Sequence, residues 1–135
     1  MTGRNDGPGR RREARERAVE LAYEAEMRSL AVDDLVRGLP LVPAEFTVEL
    51  LRAGEDRRDE ADALVGDHAA GWTLERMPTM DRVVMRLAVA EMLTTDTPTG
   101  VILAEAVDLA GRFSTDESSR FVNGVLAAIA RKVRP

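Results

Sequence analysis

Apolar residues recur three and four positions apart along most of this chain, which is the period of an α-helix. The first such run spans about residues 10–30 and places small apolar residues on one face: Ala14, Ala18, Leu21, Ala22 and Ala25. A short helix is predicted next, at residues 33–37. A longer helical stretch follows at residues 46–65, and it forms either one helix or two helices broken near Gly54.

The second half of the chain carries the more apolar helices. A short helical turn is predicted at residues 72–76 and ends before Pro78. Residues 80–93 and 101–113 are apolar around most of the helical circumference, which predicts two central helices packed on several sides. The last helix follows a polar turn, and Ser114 with Glu117 three positions later predicts a capping box at its start. Its core face is formed by apolar residues and begins at either of two positions: Phe121 or Val122, then Val125, Leu126, Ile129, Ala130 and Val133.

No stretch shows the sustained alternation of a β-strand, so the pattern predicts an all-α fold. We expect one compact domain of about seven helices at residues 10–135. It follows a lead-in at residues 1–9 that is rich in glycine and polar residues and is predicted to be flexible.

Length and composition narrow the class of protein further. A chain of 135 residues with 44% apolar residues can build one sizeable core. No apolar run is long enough to span a membrane, and no signal peptide opens the chain. Cysteine is absent, which excludes disulfides and thiolate metal sites. The expected location is therefore the cytoplasm.

Charge is distributed unevenly along the chain, whose net charge is −5. Residues 1–17 carry six arginines and three acids, residues 18–76 carry 14 acids and six arginines, and residues 77–135 carry seven charges of each sign. The basic start suits contact with phosphates, and the acidic middle suits a basic protein partner. Solvated faces without a partner are the alternative interpretation of both segments.

Four arginines crowd the start of the first predicted helix: Arg10, Arg11, Arg12 and Arg15. The helix dipole opposes positive charge at this end, so intrahelical stability does not explain the cluster. An external phosphate would be attracted by the arginines and by the free backbone amides of the helix start. A phosphate contact is thus favoured over a solvated arm.

A second candidate site lies at the start of the last helix, where Glu117, Arg120 and Phe121 occur within five residues. Phe121 is either the first core residue of its helix or a ring on which a nucleobase stacks. Tyr23 on the first helix is interpreted as a core residue, because aromatics at helical spacing usually are.

Residues for catalysis are scarce in this chain. His68 is the single histidine and has no second histidine or cysteine to share a metal ion. Neighbouring acids such as Glu55 and Asp56 point away from each other on a helix and make a poor general acid–base pair. The sequence therefore predicts a binding protein with no metal or cofactor, and not an enzyme.

Four segments of the chain stand out together: RRREARERAVELAY at 10–23, MDRVVMRLAVAEM at 80–92, AEAVDLA at 104–110 and SSRFVNGVL at 118–126. In this order they resemble the NusB family of bacterial transcription antitermination proteins. The resemblance extends from about residue 10 to residue 134 and implies an all-helical fold. It also implies an elongation factor that binds single-stranded boxA RNA in ribosomal RNA leader transcripts. Such factors act with the small-subunit ribosomal protein NusE, other Nus factors and RNA polymerase to suppress premature termination.

The resemblance also implies which residues form the RNA face. By position these are Arg10, Arg11, Arg12, Arg15, Tyr23, Asp81, Glu117, Arg120 and Phe121. A carboxylate on this face could accept hydrogen bonds from amino groups of bases. The chain departs from the family pattern at Glu13, Ala104 and Ser114–Thr115. A helical protein–protein adaptor or a homodimer without RNA binding remains the alternative function.

Overall fold

The computed structural model describes residues 8–135 and has seven α-helices across this range. They are α1 (Pro8–Arg28), α2 (Val32–Arg37), α3 (Glu45–Asp56), α4 (Arg58–His68), α5 (Thr79–Thr94), α6 (Thr99–Phe113) and α7 (Ser118–Val133). One 3₁₀ turn at Leu74–Arg76 lies between α4 and α5. No residue in the described range is in a strand, so the predicted all-α bundle of about seven helices is confirmed. None of these helices combines the length and the apolar character required to cross a bilayer.

Helix α5 is the centre of the bundle. It packs against α1, α3, α4, α6 and α7. Residues 83–92 are all buried, including Arg86 and Glu91. The long apolar run in the sequence thus marks a helix with neighbours on all sides, as predicted. Helix α6 differs from this expectation because only one face of it is buried, through Ile102, Ala106, Leu109 and Ala110.

The predicted stretch at 46–65 forms two helices, and the break lies at Arg57 rather than near Gly54. Gly54 is buried inside α3. A Cβ atom at this position would lie 2.6 Å from Leu87 Cδ2 of α5. The glycine therefore permits close approach of two helices, and it does not end one.

The two ends of the predicted domain also differ in detail from expectation. Helix α1 begins at Pro8, two residues before the predicted start, with proline at a first-turn position that needs no amide hydrogen. The rest of the predicted flexible lead-in, residues 1–7, lies outside the described residues. The capping box predicted from Ser114 and Glu117 is wrong, since Glu117 caps α7 without a side-chain hydrogen bond.

A group of charges ties α1, α4 and α5 together around the Glu26 carboxylate. Arg86 Nη1 donates to this carboxylate at 3.1 Å and Arg58 Nη2 donates to it at 2.9 Å. Arg86 also forms two hydrogen bonds with Asp62 on α4. Burial raises the pKa of Glu26, but the two guanidinium charges and their hydrogen bonds outweigh it and lower this pKa below 4.5.

Candidate nucleic-acid interface

The four arginines at the start of α1 differ in exposure and in their contacts. The helix has no acidic residue in its first turn that could offset them. Arg10 is exposed, and the Arg11 guanidinium lies over the Phe46 ring of α3, 4.2 Å from the ring centre. Among residues 8–135, no carboxylate forms a salt bridge with Arg10 or Arg11. As far as residues 8–135 are concerned, the hydrogen-bond donors of both arginines can meet an external anion.

Arg12 and Arg15 each have an acidic partner inside the protein. Arg12 pairs with Glu105 of α6 at 3.1 Å but keeps 64% of its side chain exposed. Arg15 is buried and forms two hydrogen bonds with the buried Glu91 of α5, at 3.1 and 2.5 Å. The bidentate pair fixes the register of α1 against α5. That Arg15 contacts RNA stays a prediction, and the pairing gives Arg15 an internal role.

A cleft of about 470 Å³ opens at the start of α7. It brings together four of the residues predicted from the sequence, Asp81, Glu117, Arg120 and Phe121. The other lining residues are Trp72, Pro78, Thr115 and Ser118. Glu117 and Arg120 are exposed, whereas Phe121 is half-buried and packs against the core on one side. The ring thus packs on the core, as one interpretation expected, and it also lines an open cleft. Stacking of a nucleobase on Phe121 stays a prediction.

Asp81 holds the turn that carries this cleft. The residue is only 2% exposed, and its carboxylate accepts a hydrogen bond from Ser118 Oγ at 2.8 Å. Ser118 Oγ in turn accepts the backbone N–H of Thr115 at 3.1 Å. Because the first turn of α5 favours negative charge, Asp81 is stabilised at this position. Its RNA contact stays a prediction, and the observed bonds make it an anchor for the start of α7.

Trp72 was missed by the sequence reasoning as a member of this site. It is 48% exposed, and its ring centre lies 5.9 Å from that of Phe121. The chain reverses before it through Gly71, whose φ of +81° favours glycine. The Ala-Ala-Gly-Trp order signals a turn but gives no information on the direction of the indole, which depends on packing against α7.

A cluster of one arginine and two carboxylates joins α6 to α1. Arg112 on α6 bonds to Glu16 of α1 and to Asp108, each at 3.0 Å. Hydrogen bonds that Arg112 donates to Glu16, and then to Asp108, raise the pKa of Arg112 above its ordinary value. Tyr23 is half-buried and packs against the core, so its contact with RNA stays a prediction. Arg10 and Arg11 on the arm and Arg120 beside the cleft form no salt bridge among residues 8–135. The same holds for three further exposed cations: Arg76, Arg131 and Lys132.

His68 has a structural explanation. Its Nδ1 lies 2.8 Å from the backbone oxygen of Leu64, one helical turn earlier. Across the described part of the chain, no group of three histidine, cysteine, aspartate or glutamate residues could hold a metal ion.

Arginines at one helix start and an aromatic cleft at another give this bundle the features of a helical nucleic-acid-binding protein. The sequence pattern of the NusB family matches residues 12–131. The chain belongs to the NusB family.

Relatives and solved structures agree with this assignment. The chain is 44% identical to the transcription antitermination protein NusB of Thermobifida fusca, over 92% of this chain and 91% of that protein. It is 45% identical to the NusB of Acidothermus cellulolyticus, over 88% and 86%. T. maritima NusB has a similar structure, with a TM-score of 0.82, 29% identity and 93% coverage of both chains. A crystal structure of antitermination factors NusB and NusE in complex with dsRNA is also similar, with a TM-score of 0.76 and 25% identity over 90% of this chain and 96% of that chain.

Proposed function

We propose that this protein is a transcription antitermination factor that binds boxA RNA of ribosomal RNA leaders together with the ribosomal protein NusE. The observation that carries the proposal is the arginine pair Arg10–Arg11 on an acidic chain of the NusB family. Arg11 is held over Phe46 and pairs with no carboxylate in the described range 8–135, so the start of α1 suits a phosphate. The relatives named as antitermination proteins support this role, as does the related NusB–NusE–RNA complex.

The RNA face in this proposal has two parts. The arm supplies charge through Arg10, Arg11 and the largely exposed Arg12. The cleft supplies a stacking ring, Phe121, beside Arg120. Phosphate contacts fix the position of the RNA, whereas contacts with unpaired bases favour single strands over duplexes.

A basic partner suits the remaining surface. The outer sides of α3 and α4 carry exposed acids that form no salt bridge among residues 8–135: Glu45, Glu49, Asp56, Asp59 and Asp67. Ribosomal proteins are generally basic, so NusE docked near these acids would add positive charge that the chain itself lacks. The pair would then join other Nus factors on RNA polymerase.

The proposed role is binding and not catalysis. His68 contacts a backbone oxygen, and Arg15 and Arg86 form ion pairs inside the protein. These contacts support a binding role, because they give the three side chains structural tasks. A factor that acts on nascent bacterial transcripts works in the cytoplasm, where we place this protein.

Replacing Arg10 and Arg11 together by alanine should weaken binding of single-stranded boxA RNA at every salt concentration. Because each arginine that contacts a phosphate releases counterions, the slope of log affinity against log salt should fall by about one per residue. The fold should survive, since Arg10 is exposed and Arg11 touches only the surface of Phe46. Fluorescence anisotropy in a salt series, with melting curves, provides the measurement.

The matched control is the double variant Arg17→Ala with Arg28→Ala. Both residues are exposed on α1 and pair with Glu20 and Glu24. Because two arginines are removed in each double variant, the net charge of the protein changes by the same amount. This control should bind RNA nearly as the parent does. Equal losses in both double variants would assign the effect to overall charge and would contradict a specific arm.

Replacing Glu117 by glutamine should tighten RNA binding modestly. The carboxylate is exposed beside the cleft and repels phosphates, and it makes no side-chain cap to α7 that the substitution could break. We expect up to about 1 kcal/mol in binding, the scale of exposed charge interactions, with an unchanged melting temperature. Glu60→Gln on α4 is the control, and an equal gain there would place Glu117 away from the RNA.

A further inference from the structure

We propose that Trp72 is a second base-stacking surface, so that the cleft at the start of α7 takes two successive unpaired bases of a single-stranded RNA. The inference rests on the proposed function and extends it to a residue outside the predicted RNA face. It starts from exposure: Trp72 is the only tryptophan of the chain, and 48% of it is exposed. The ring is not isolated on the surface, because it lines the same cleft as Phe121, and apolar groups exposed together in a groove mark interaction sites.

The ring geometry determines how bases can be accommodated. The planes of Trp72 and Phe121 are inclined by 57°, and the ring centres are 5.9 Å apart. Rings at this distance already contact each other, so no base can insert between them. Each ring instead offers its remaining face to the same cleft of about 470 Å³. Two inclined platforms suit two neighbouring bases better than one sandwiched base.

The charges around the cleft favour nucleobases held by stacking. Arg120 is exposed beside it and can meet the phosphate between two bases, while the carboxylates of the exposed Glu117 and the buried Asp81 offset its charge. The cleft therefore adds little net attraction for the RNA backbone, and its contribution comes from the aromatic faces. Stacking of this kind tolerates any base and does not depend on counterion release.

The local backbone keeps Trp72 in this position. Its N–H donates to the Ala69 carbonyl at 3.0 Å, and Ala69 is buried against the core. Gly71 supplies the left-handed turn between them. The indole is thus presented by a closed turn, so little ordering is needed when RNA binds.

The test uses intrinsic fluorescence and two substitutions. Because the chain has a single tryptophan, saturating the parent protein with single-stranded boxA RNA should quench its tryptophan emission. Trp72→Phe should keep most of the affinity. Trp72→Leu, apolar but not aromatic, should lose about five- to 150-fold, which corresponds to one stacked base. Its salt slope should equal that of the parent, unlike the slope of the Arg10/Arg11 variant.

Leu41→Ala is the control for loss of an exposed apolar side chain, since Leu41 is 81% exposed and does not line the cleft. Unchanged emission of the RNA-bound parent, or parental affinity in Trp72→Leu while Phe121→Ala loses affinity, would overturn the role of Trp72 and leave the proposed function intact. Parental RNA affinity with impaired NusE binding in Trp72→Leu would also overturn it, since the cleft would then hold a protein side chain. Absence of any RNA binding by the parent, with or without NusE, would instead refute the proposed function.

Discussion

Replacing Glu91 by alanine should lower the free energy of unfolding by about 3–5 kcal/mol. Glu91 is 3% exposed and Arg15 is 7% exposed, so the substitution leaves a guanidinium buried without its carboxylate. Removing one partner of a buried pair is costly because the remaining charge has lost its hydration and gained nothing in return. Chemical denaturation of the parent and the variant measures the difference.

The control for this substitution is Glu105→Ala, which breaks the pair with the exposed Arg12 and should cost at most about 1 kcal/mol.

A double variant, Arg15→Met with Glu91→Leu, should recover most of the lost stability by replacing both charges with apolar groups. RNA binding of the double variant tests the predicted contact of Arg15: parental affinity would limit Arg15 to its structural role, and weaker binding at recovered stability would support the contact. Parental stability in Glu91→Ala would show that the pair is solvated.

Replacing Phe121 by alanine should reduce RNA binding by about 1–3 kcal/mol, the contribution of one base stacked on an aromatic ring. Stability should also fall, but by less than the 3–5 kcal/mol or so typical of a fully buried phenylalanine, since Phe121 is only half-buried. Melting and RNA binding measured on the same sample separate the two effects.

Phe113→Ala is the matched control for Phe121. Phe113 is a half-buried ring packed on the core at the end of α6, and it does not line the cleft. This variant should lose stability while binding RNA as the parent does. Equal losses of RNA affinity in the two variants would mean that the loss reflects general destabilisation and not a stacking site.

The helices were predictable because their apolar period is local information. The central position of α5 was predictable because this segment is apolar around most of the helix. The start of α7 was recognisable as a candidate site because Glu117, Arg120 and Phe121 lie close together in the sequence. The helix ends were less predictable. The polar turn before α7 is closed by Thr115 and Ser118, whereas the sequence suggested Ser114 and Glu117.

Two features of the site depend on contacts between distant residues. The carboxylate that pairs with Arg15 is 76 positions away, and nothing in the arginine cluster distinguishes the buried residue from its exposed neighbours. Trp72 lies near Phe121 only because a left-handed turn at Gly71 directs the chain toward α7. Periodicity in one segment contains no information about such pairings.

The most direct test of the proposed function is the affinity for single-stranded boxA RNA, measured by fluorescence anisotropy over a salt series for the protein alone and with NusE. With a net charge of −5 and a small basic arm, the isolated protein should bind weakly, and the pair should bind more tightly. Both affinities should fall as salt rises, and a duplex RNA of equal length should compete poorly. Equal affinity with and without NusE, or binding that does not respond to salt, would contradict the proposal.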